Sequence, residues 1–140
     1  MFIQHRWFFN GKIIRVVNSL IIAIWIDLGF GTWKKQLVRF NRLKVRGIPD
    51  QNGPDPTMKF LEENIKNKHA YFQIFKRKDY NFNGFDKYYA EVYMQPGDVP
   101  IQLKDLNKNF NNPYRIDGLI NLNDVLVGQG LAEYFVFNKK

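Results

Sequence analysis

The sequence contains no cysteine, and this absence removes several classes of protein at once. A chain without cysteine forms neither a disulfide scaffold nor a cysteine-ligated zinc site. Histidine is scarce as well: His5 and His69 are the two histidines in 140 residues, and they do not have the spacing of paired metal ligands. We therefore expect no metal site and no other cofactor.

Long hydrophobic runs are also missing. The longest, Leu20 to Ile26, has seven residues, whereas a membrane-spanning helix needs roughly 20. The first residues, MFIQHRWFF, have neither the apolar core nor the small-residue cleavage site of a signal peptide. The sequence thus predicts no signal peptide and no membrane partner.

What the sequence does contain is typical of one globular domain with a basic surface. With 45% hydrophobic residues, the chain has enough apolar side chains to bury a core. A formal net charge of +8 favours polyanionic partners, which means nucleic acid, nucleotides or an acidic protein. The alternative interpretation is that the lysines serve solubility alone.

Alternating apolar residues and turn signals predict three strands, a helix, two strands and a final helix. The predicted strands are Lys12 to Val17, Leu20 to Ile26, Leu37 to Ile48, Ala70 to Lys76 and Tyr88 to Met94. This order favours an α+β, mostly β fold, namely a five-stranded OB-type barrel with two or three helices. We expect a single domain, residues 1–140.

The helix boundaries follow from capping residues. Asp55 followed by Pro56 is typical of a helix start. Asn121 caps the last predicted helix, and Gly130 ends it. Between the last strand and that helix, Gln95 to Gly118 is rich in proline and glycine, and we interpret it as an insertion loop, with a short helix near Lys104 to Lys108.

The third predicted strand carries a charge pattern. Its apolar alternation changes phase partway, which predicts a β-bulge at Asn41-Arg42. Beyond the bulge, Arg42, Lys44 and Arg46 share one face of the strand. Three cations in a row on one strand surface are candidate phosphate ligands.

Four segments, in order, resemble a known family. They are RVVNSLIIAIWIDLGFG (15–31), RLKVRGI (42–48), FDKYYAEVY (85–93) and LNDVLVGQGLAEYF (122–135). They are similar to segments of staphylococcal-nuclease-like (thermonuclease) domains, especially the short phage-encoded ones. In that family the first segment typically reads Arg-Val-Val-Asp-Gly-Asp-Thr before its second strand. The resemblance implies the same OB-type fold.

The family hydrolyses phosphodiesters with calcium, which carboxylates hold, while a glutamate orients water and two arginines stabilise the phosphoryl group. In this chain the family's Asp-Gly-Asp-Thr falls on Asn18 to Ile21, so Leu20 stands where a metal-binding aspartate is expected. With Gly47-Ile48 as the anchor, the remaining acids fall on Pro49 and Asn52. The two arginines then fall on Lys44 and Lys87.

A second register, anchored on Pro49, keeps Arg42 as a catalytic arginine and places Asp50 at the glutamate position. It still leaves Gly47 at a metal ligand and Leu20 unchanged. Either register lacks at least two of the three acids. The resemblance therefore implies a degenerate nuclease, a pseudoenzyme for which we assign no catalytic residue.

Three functions remain open. The first is a binding or assembly module that contacts a protein partner or a second copy through an exposed apolar stripe on the second strand, Ile21, Ala23 and Trp25. The second is a nucleic-acid or nucleotide binder that uses a basic groove of Arg42, Lys44, Arg46 and Lys87 without cutting. The third is a residual metal-dependent phosphodiesterase using Asp50, Asp55 or Asp86. The resemblance to phage domains implies a place in the host cytoplasm or the virion.

Overall fold

The computed structural model describes residues 7–45, 55–76, 88–99 and 113–134. Within these ranges the strands and helices are β1 Trp7–Val16, β2 Ile21–Asp27, β3 Trp33–Phe40, β4 Leu43–Val45, α1 Pro56–Asn64, β5 His69–Lys76, β6 Tyr88–Met94, β7 Ile120–Asn121, α2 Leu122–Gly128 and β8 Ala132–Tyr134. A single 3₁₀ turn, Pro96–Asp98, follows β6. No helix in these ranges has the length and apolar character needed to cross a membrane.

Five of the strands close into a barrel. They lie in the order β3-β2-β1-β5-β6, with antiparallel neighbours, and a short parallel pairing between β3 and β6 completes the ring. This closure joins Arg39 to Tyr89 and Phe40 to Ala90. The predicted α+β fold with a five-stranded OB-type barrel is therefore confirmed.

The barrel interior is filled by alternate residues of each strand. On β2 the inward side chains are Ile22, Ile24 and Ile26, all at most 4% exposed. The neighbouring strands contribute inward residues in the same way, including Phe72 of β5 and Val92 of β6. Successive side chains of a strand point to opposite faces of the sheet, so every second residue of β2 points into the barrel.

One glycine allows two strands to approach closely. A Cβ atom at Gly11 of β1 would lie 2.0 Å from the carbonyl oxygen of Trp25 on β2, closer than any real contact. The register of the β1–β2 pair also shifts between Ile13 and Arg15. Gly11 therefore fixes how closely β1 packs against the part of β2 that carries Trp25.

The predicted strand from Leu37 to Ile48 with one bulge is wrong in detail. The chain turns at Asn41-Arg42, where Arg42 has a left-handed φ of 69°, and β3 and β4 are separate strands. Strand β4 leaves the barrel and pairs with β8 in a second, two-stranded sheet. The physical reason for the break lies in the contacts of Arg42, which are described below.

Both capping predictions are confirmed. The side chain of Asp55 accepts hydrogen bonds from the backbone of Thr57 and Met58 at the start of α1, and that of Asn121 accepts one from Asp124 at the start of α2. Of the predicted insertion, residues 100–112 lie outside the described part of the chain, and so does the expected helix near Lys104 to Lys108.

Candidate functional site

The turn that carries the metal-binding acids in the resembling family is closed here by its own side chains. The carboxamide oxygen of Asn18 accepts hydrogen bonds from the backbone of Leu20 at 2.9 Å and of Ile21 at 3.0 Å. The Ser19 hydroxyl donates to the carboxylate of Asp55, which also caps α1. Leu20 is 2% exposed and belongs to the core. In residues 7–45, 55–76, 88–99 and 113–134 no group of three or more acidic or histidine side chains could hold a metal ion.

Arg42 is bound to two buried carboxylates. Its Nε lies 2.7 Å from Glu91 Oε2, and its Nη2 lies 2.7 Å from Glu91 Oε1 and 3.1 Å from Asp124 Oδ1. Its guanidinium also lies over the rings of Tyr114 and Tyr134, at 4.8 and 5.3 Å from their centroids. Burial disfavours the charge, but the hydrogen bonds and charges of Glu91 and Asp124 outweigh it and raise the pKa of Arg42.

Side-chain amides complete the shell around Glu91. Asn41 Nδ2 donates to Glu91 Oε2 at 2.8 Å, and Asn121 Nδ2 donates to Glu91 Oε1 at 2.9 Å. The Asn123 side chain accepts from the backbone of Val92 and donates to the carbonyls of Asn41 and Ala90. This buried network joins β6, the Asn41-Arg42 turn and α2, and it explains why the third predicted strand breaks at Arg42.

The interpretation of Arg42 as one of three cations on an open strand face is therefore corrected. A phosphate at Arg42 would compete with these two carboxylates for the same guanidinium. Lys44 does lie at the surface, where its Nζ is 3.7 Å from Glu133 Oε1 across the β4–β8 pair. Arg46 and Lys87 lie outside the described residues, and so do Asp50 and Asp86; their roles stay predictions.

The expected apolar stripe on β2 is exposed at one of its three positions. Trp25 is 40% exposed, but Ile21 is 9% exposed and Ala23 is fully buried, so the expectation of exposure was wrong for these two. Ala23 is paired with Arg15 on one side and Leu37 on the other, and Ile21 is paired with Arg39.

Trp25 belongs instead to a different surface, formed with the neighbouring strands. It is paired with Lys12 of β1 and with Lys35 of β3. Trp33, which is 51% exposed, precedes Lys35 by two residues and therefore lies on the same face of the sheet, diagonally across from Trp25. The two exposed tryptophans are thus diagonal neighbours, and Trp25 has a lysine beside it on each of the two adjacent strands.

The same face continues across β1 onto β5. Lys12 is paired with His69, and the His69 ring meets Tyr71 edge-on at 5.2 Å between centroids. Phe8 lies four residues before Lys12 and is 43% exposed, and the centroid of its ring is 6.4 Å from that of Tyr71. We name this surface the outer aromatic face; its members are Phe8, Lys12, Trp25, Trp33, Lys35, His69 and Tyr71.

An open cleft of about 660 Å³ lies in this face. Its walls are formed by Gly11, Lys12, Trp25, Trp33, Asn67 and His69. Asn67 lies in the turn before β5 and has a left-handed φ of 69°. Its backbone N–H donates a 2.8 Å hydrogen bond to Ile13 O. The cleft is of the size that small ligands and single nucleotides occupy.

The charge around the cleft is positive. Lys12 and Lys35 flank Trp25 on the face itself, and the exposed Lys66 and Lys68 stand on either side of Asn67 in the turn. Asp27, the partner of Trp33, contributes an acid, which also accepts a hydrogen bond from the backbone of Gly29. Four lysines and one aspartate in this group give a field that attracts anions.

Sequence reasoning selected Trp25 but missed the rest of this face. The signal lies in the β2–β3 hairpin, whose turn at Gly29 to Gly31 sets which residues oppose one another. Residues two apart on a strand share a face of the sheet, and the position of this turn sets which residues are paired. Together they place Trp25 and Trp33 on the same face. His69 comes from β5, which is distant in sequence, and local patterns carry no information on its pairing with Lys12.

No model of a known protein family matches the chain, and no curated protein matches it.

Proposed function

We propose that this chain is a degenerate staphylococcal-nuclease-like domain that binds nucleic acid without cutting it, and that it does so through the outer aromatic face. The observation that carries the proposal is the pair of exposed tryptophans, Trp25 and Trp33, on adjacent strands with Lys12 and Lys35 beside them. The face lies apart from the groove predicted from the charges of Arg42 and Lys44.

The chemistry of this face suits nucleic acid. Proteins that bind single strands combine a positive groove for phosphates with aromatic rings on which bases stack, and each stacked base contributes about 1–3 kcal/mol. OB-type barrels present such ligands to the face of their second and third strands. Trp25 lies on β2 and Trp33 on β3, and the net charge of +8 favours the encounter.

Three contacts support the absence of hydrolysis. Leu20 is buried in the core where the family has a metal-binding aspartate. Arg42, which one register of the resemblance keeps as a catalytic arginine, is bound to Glu91 and Asp124. Asp55, an acid considered for a rearranged site, caps α1 and accepts a hydrogen bond from Ser19.

Binding is tested by fluorescence anisotropy with a labelled oligonucleotide at low salt. We expect saturable binding by the native chain and a loss of affinity in Trp33→Ala, while Lys59→Ala, which removes an exposed lysine of α1, leaves affinity unchanged. Absence of binding at low salt contradicts the proposal. A cleavage assay with Ca²⁺, Mg²⁺ and Mn²⁺ tests the second half of it, since turnover in any of these metals contradicts a binding function without hydrolysis.

A second candidate function is protein assembly, and the tip of the β2–β3 hairpin favours it. Phe30 is 106% exposed and has a left-handed φ of 56° between Gly29 and Gly31, and Leu28 beside it is 44% exposed. Phe30 thus presents an apolar ring to solvent from a backbone conformation that bulky residues rarely adopt. This keeps the interaction expected of β2 but moves it from Ile21 and Ala23 to the hairpin tip.

The assembly function is tested by light scattering on the native chain and on Phe30→Asn. Asparagine tolerates a left-handed conformation, so the substitution removes the apolar contact and leaves the turn intact. We expect the native chain to associate with itself and the variant to be monomeric. A monomeric native chain excludes self-association and leaves a different protein as the partner to be sought.

A further inference from the structure

The two tryptophans of the outer aromatic face are spaced for unstacked bases. Trp25 is paired with Lys35 and Trp33 with Asp27, so the tryptophans are diagonal neighbours, whose Cβ atoms in an antiparallel pair are about 7–8 Å apart. This is about twice the 3.4 Å rise between stacked bases in one strand of a duplex. The rings therefore leave room for one base between them, or for two successive bases that are not stacked on each other.

The cleft beside them offers groups that hydrogen-bond a base edge. Asn67 lines the cleft, and its side-chain amide can both donate and accept hydrogen bonds. His69 brings an imidazole whose ring is packed edge-on against Tyr71. The hydrogen-bonding edge of a base is available in an unpaired strand, whereas in a duplex it is turned into the base pair.

We infer that the cleft takes an unpaired base of single-stranded nucleic acid between Trp25 and Trp33, an inference that rests on the nucleic-acid-binding function proposed above. Lys12 and Lys35 lie on the strands at either side of Trp25 and hold the phosphates that flank the base. Asn67 and His69 contact its edge. A duplex cannot bind in this way, because its base faces are covered by their neighbours, so the face discriminates single strands from duplexes.

The test compares three ligands at about 0.15 M salt. They are a labelled single strand of about 15 nucleotides, the upper range for one OB-type barrel, the same sequence as a duplex, and a mononucleotide as competitor. We expect the single strand to bind at least about 10-fold more tightly than the duplex. The mononucleotide should compete weakly, because it makes one stacking contact and lacks the neighbouring phosphates.

Three variants locate the effect. Trp25→Ala should lower single-strand affinity by about 10-fold or more, while Trp25→Phe, which keeps a ring, retains most of it. Asn67→Gly preserves the left-handed turn and removes the amide, so it should weaken single-strand binding and leave duplex binding unchanged. If Trp25→Ala does not fold, Asn67→Gly still tests the inference.

Equal affinity for duplex and single strand overturns the inference and leaves the proposed function standing. The same holds if Trp25→Ala and Asn67→Gly weaken duplex and single-strand binding to the same extent. Competition by the mononucleotide at the concentration of the oligonucleotide also overturns it and identifies a nucleotide as the ligand. No binding of any of the three ligands, even at low salt, removes the inference and the proposed function together.

Discussion

The guanidinium of Arg42 makes two parallel hydrogen bonds, each 2.7 Å long, to the buried carboxylate of Glu91. This bidentate geometry is the strongest form of arginine–carboxylate contact. It connects the turn after β3 with β6, and Asp124 of α2 joins the same guanidinium at 3.1 Å. A cation that a sequence pattern assigns to a surface groove is thus an internal tie between the barrel and the last helix.

The first prediction concerns this tie. Arg42→Ala removes the guanidinium bonded to Glu91, which has no exposed surface, and removing one partner of a buried ion pair costs about 3–5 kcal/mol. Lys44→Ala is the matched control, because the Lys44–Glu133 pair is about half exposed and such pairs contribute about 0–1 kcal/mol. Urea denaturation of the two variants measures the difference. Equal stability of both variants would show that the buried pair contributes nothing.

The second prediction concerns Leu20, which the proposed nuclease resemblance aligns with a metal-binding aspartate. Leu20→Asp introduces that acid, but Leu20 is packed in the core. Placing a carboxylate there costs several kcal/mol, because no partner compensates its burial. We expect a lower melting temperature that Ca²⁺ does not raise, and no cleavage of nucleic acid. A calcium-dependent rise in the melting temperature, or turnover, would contradict this.

The third prediction compares alanine substitutions at two glycines that differ in the space available for a Cβ atom. Gly11→Ala places a methyl group 2.0 Å from the carbonyl oxygen of Trp25, whereas a Cβ at Gly97 meets no atom within 4 Å. Overpacking of this kind costs about 1–3 kcal/mol, and the β1–β2 spacing that supports Trp25 must change. We expect Gly11→Ala to lower both the free energy of unfolding and the affinity for an oligonucleotide. Gly97→Ala should change each of these by no more than a few tenths of the change that Gly11→Ala causes. Tolerance of alanine at position 11 would show that the strands can separate without loss.

Much of the fold could be predicted because its signals are local. The strands β2 and β6 and the caps at Asp55 and Asn121 are indicated by residues close in sequence, and all appear in the structure. The break at Arg42 could not be predicted in the same way. It depends on Glu91 and on Asp124, which are 49 and 82 positions further along the chain.

The candidate site, like the fold, could be predicted from the sequence only where its signals are local. Trp25 was recognised as an outward residue because alternation along one strand fixes its side of the sheet. Exposure is a different property, since it depends on the neighbours across strands, and Ala23 is buried beside Arg15 and Leu37. The lysines that give the outer aromatic face its charge are similarly assigned by strand pairing: Lys12 and Lys35 lie beside Trp25 through the β1–β2 and β2–β3 pairings.

The fourth prediction is a loss of stability in alkali. Burial raises the pKa of Tyr93, and burial together with the 2.7 Å hydrogen bond to Asp124 raises the pKa of Tyr134. In the unfolded chain both groups lose their protons near pH 10. The folded state therefore holds more protons above that pH, so the contribution is complete below pH 10 and is lost as the pH rises further. Urea denaturation between about pH 8 and 11 should show a smaller decline for Tyr134→Phe than for the native chain. An identical decline in the two proteins would contradict the assignment to Tyr134.

The last prediction concerns the phosphate contacts of the outer aromatic face. Each phosphate that a lysine neutralises adds about 0.7 to the slope of log affinity against log salt concentration for a single strand. Lys12 and Lys35 flank Trp25, so Lys12→Ala and Lys35→Ala should each reduce that slope by roughly this amount and weaken binding to all sequences alike. Lys59 is exposed on α1 and does not belong to this face, and Lys59→Ala controls for the loss of one charge from a surface of net +8. If all three variants reduce the slope equally, the chain binds phosphate through its general charge, and the outer aromatic face has no special part in it.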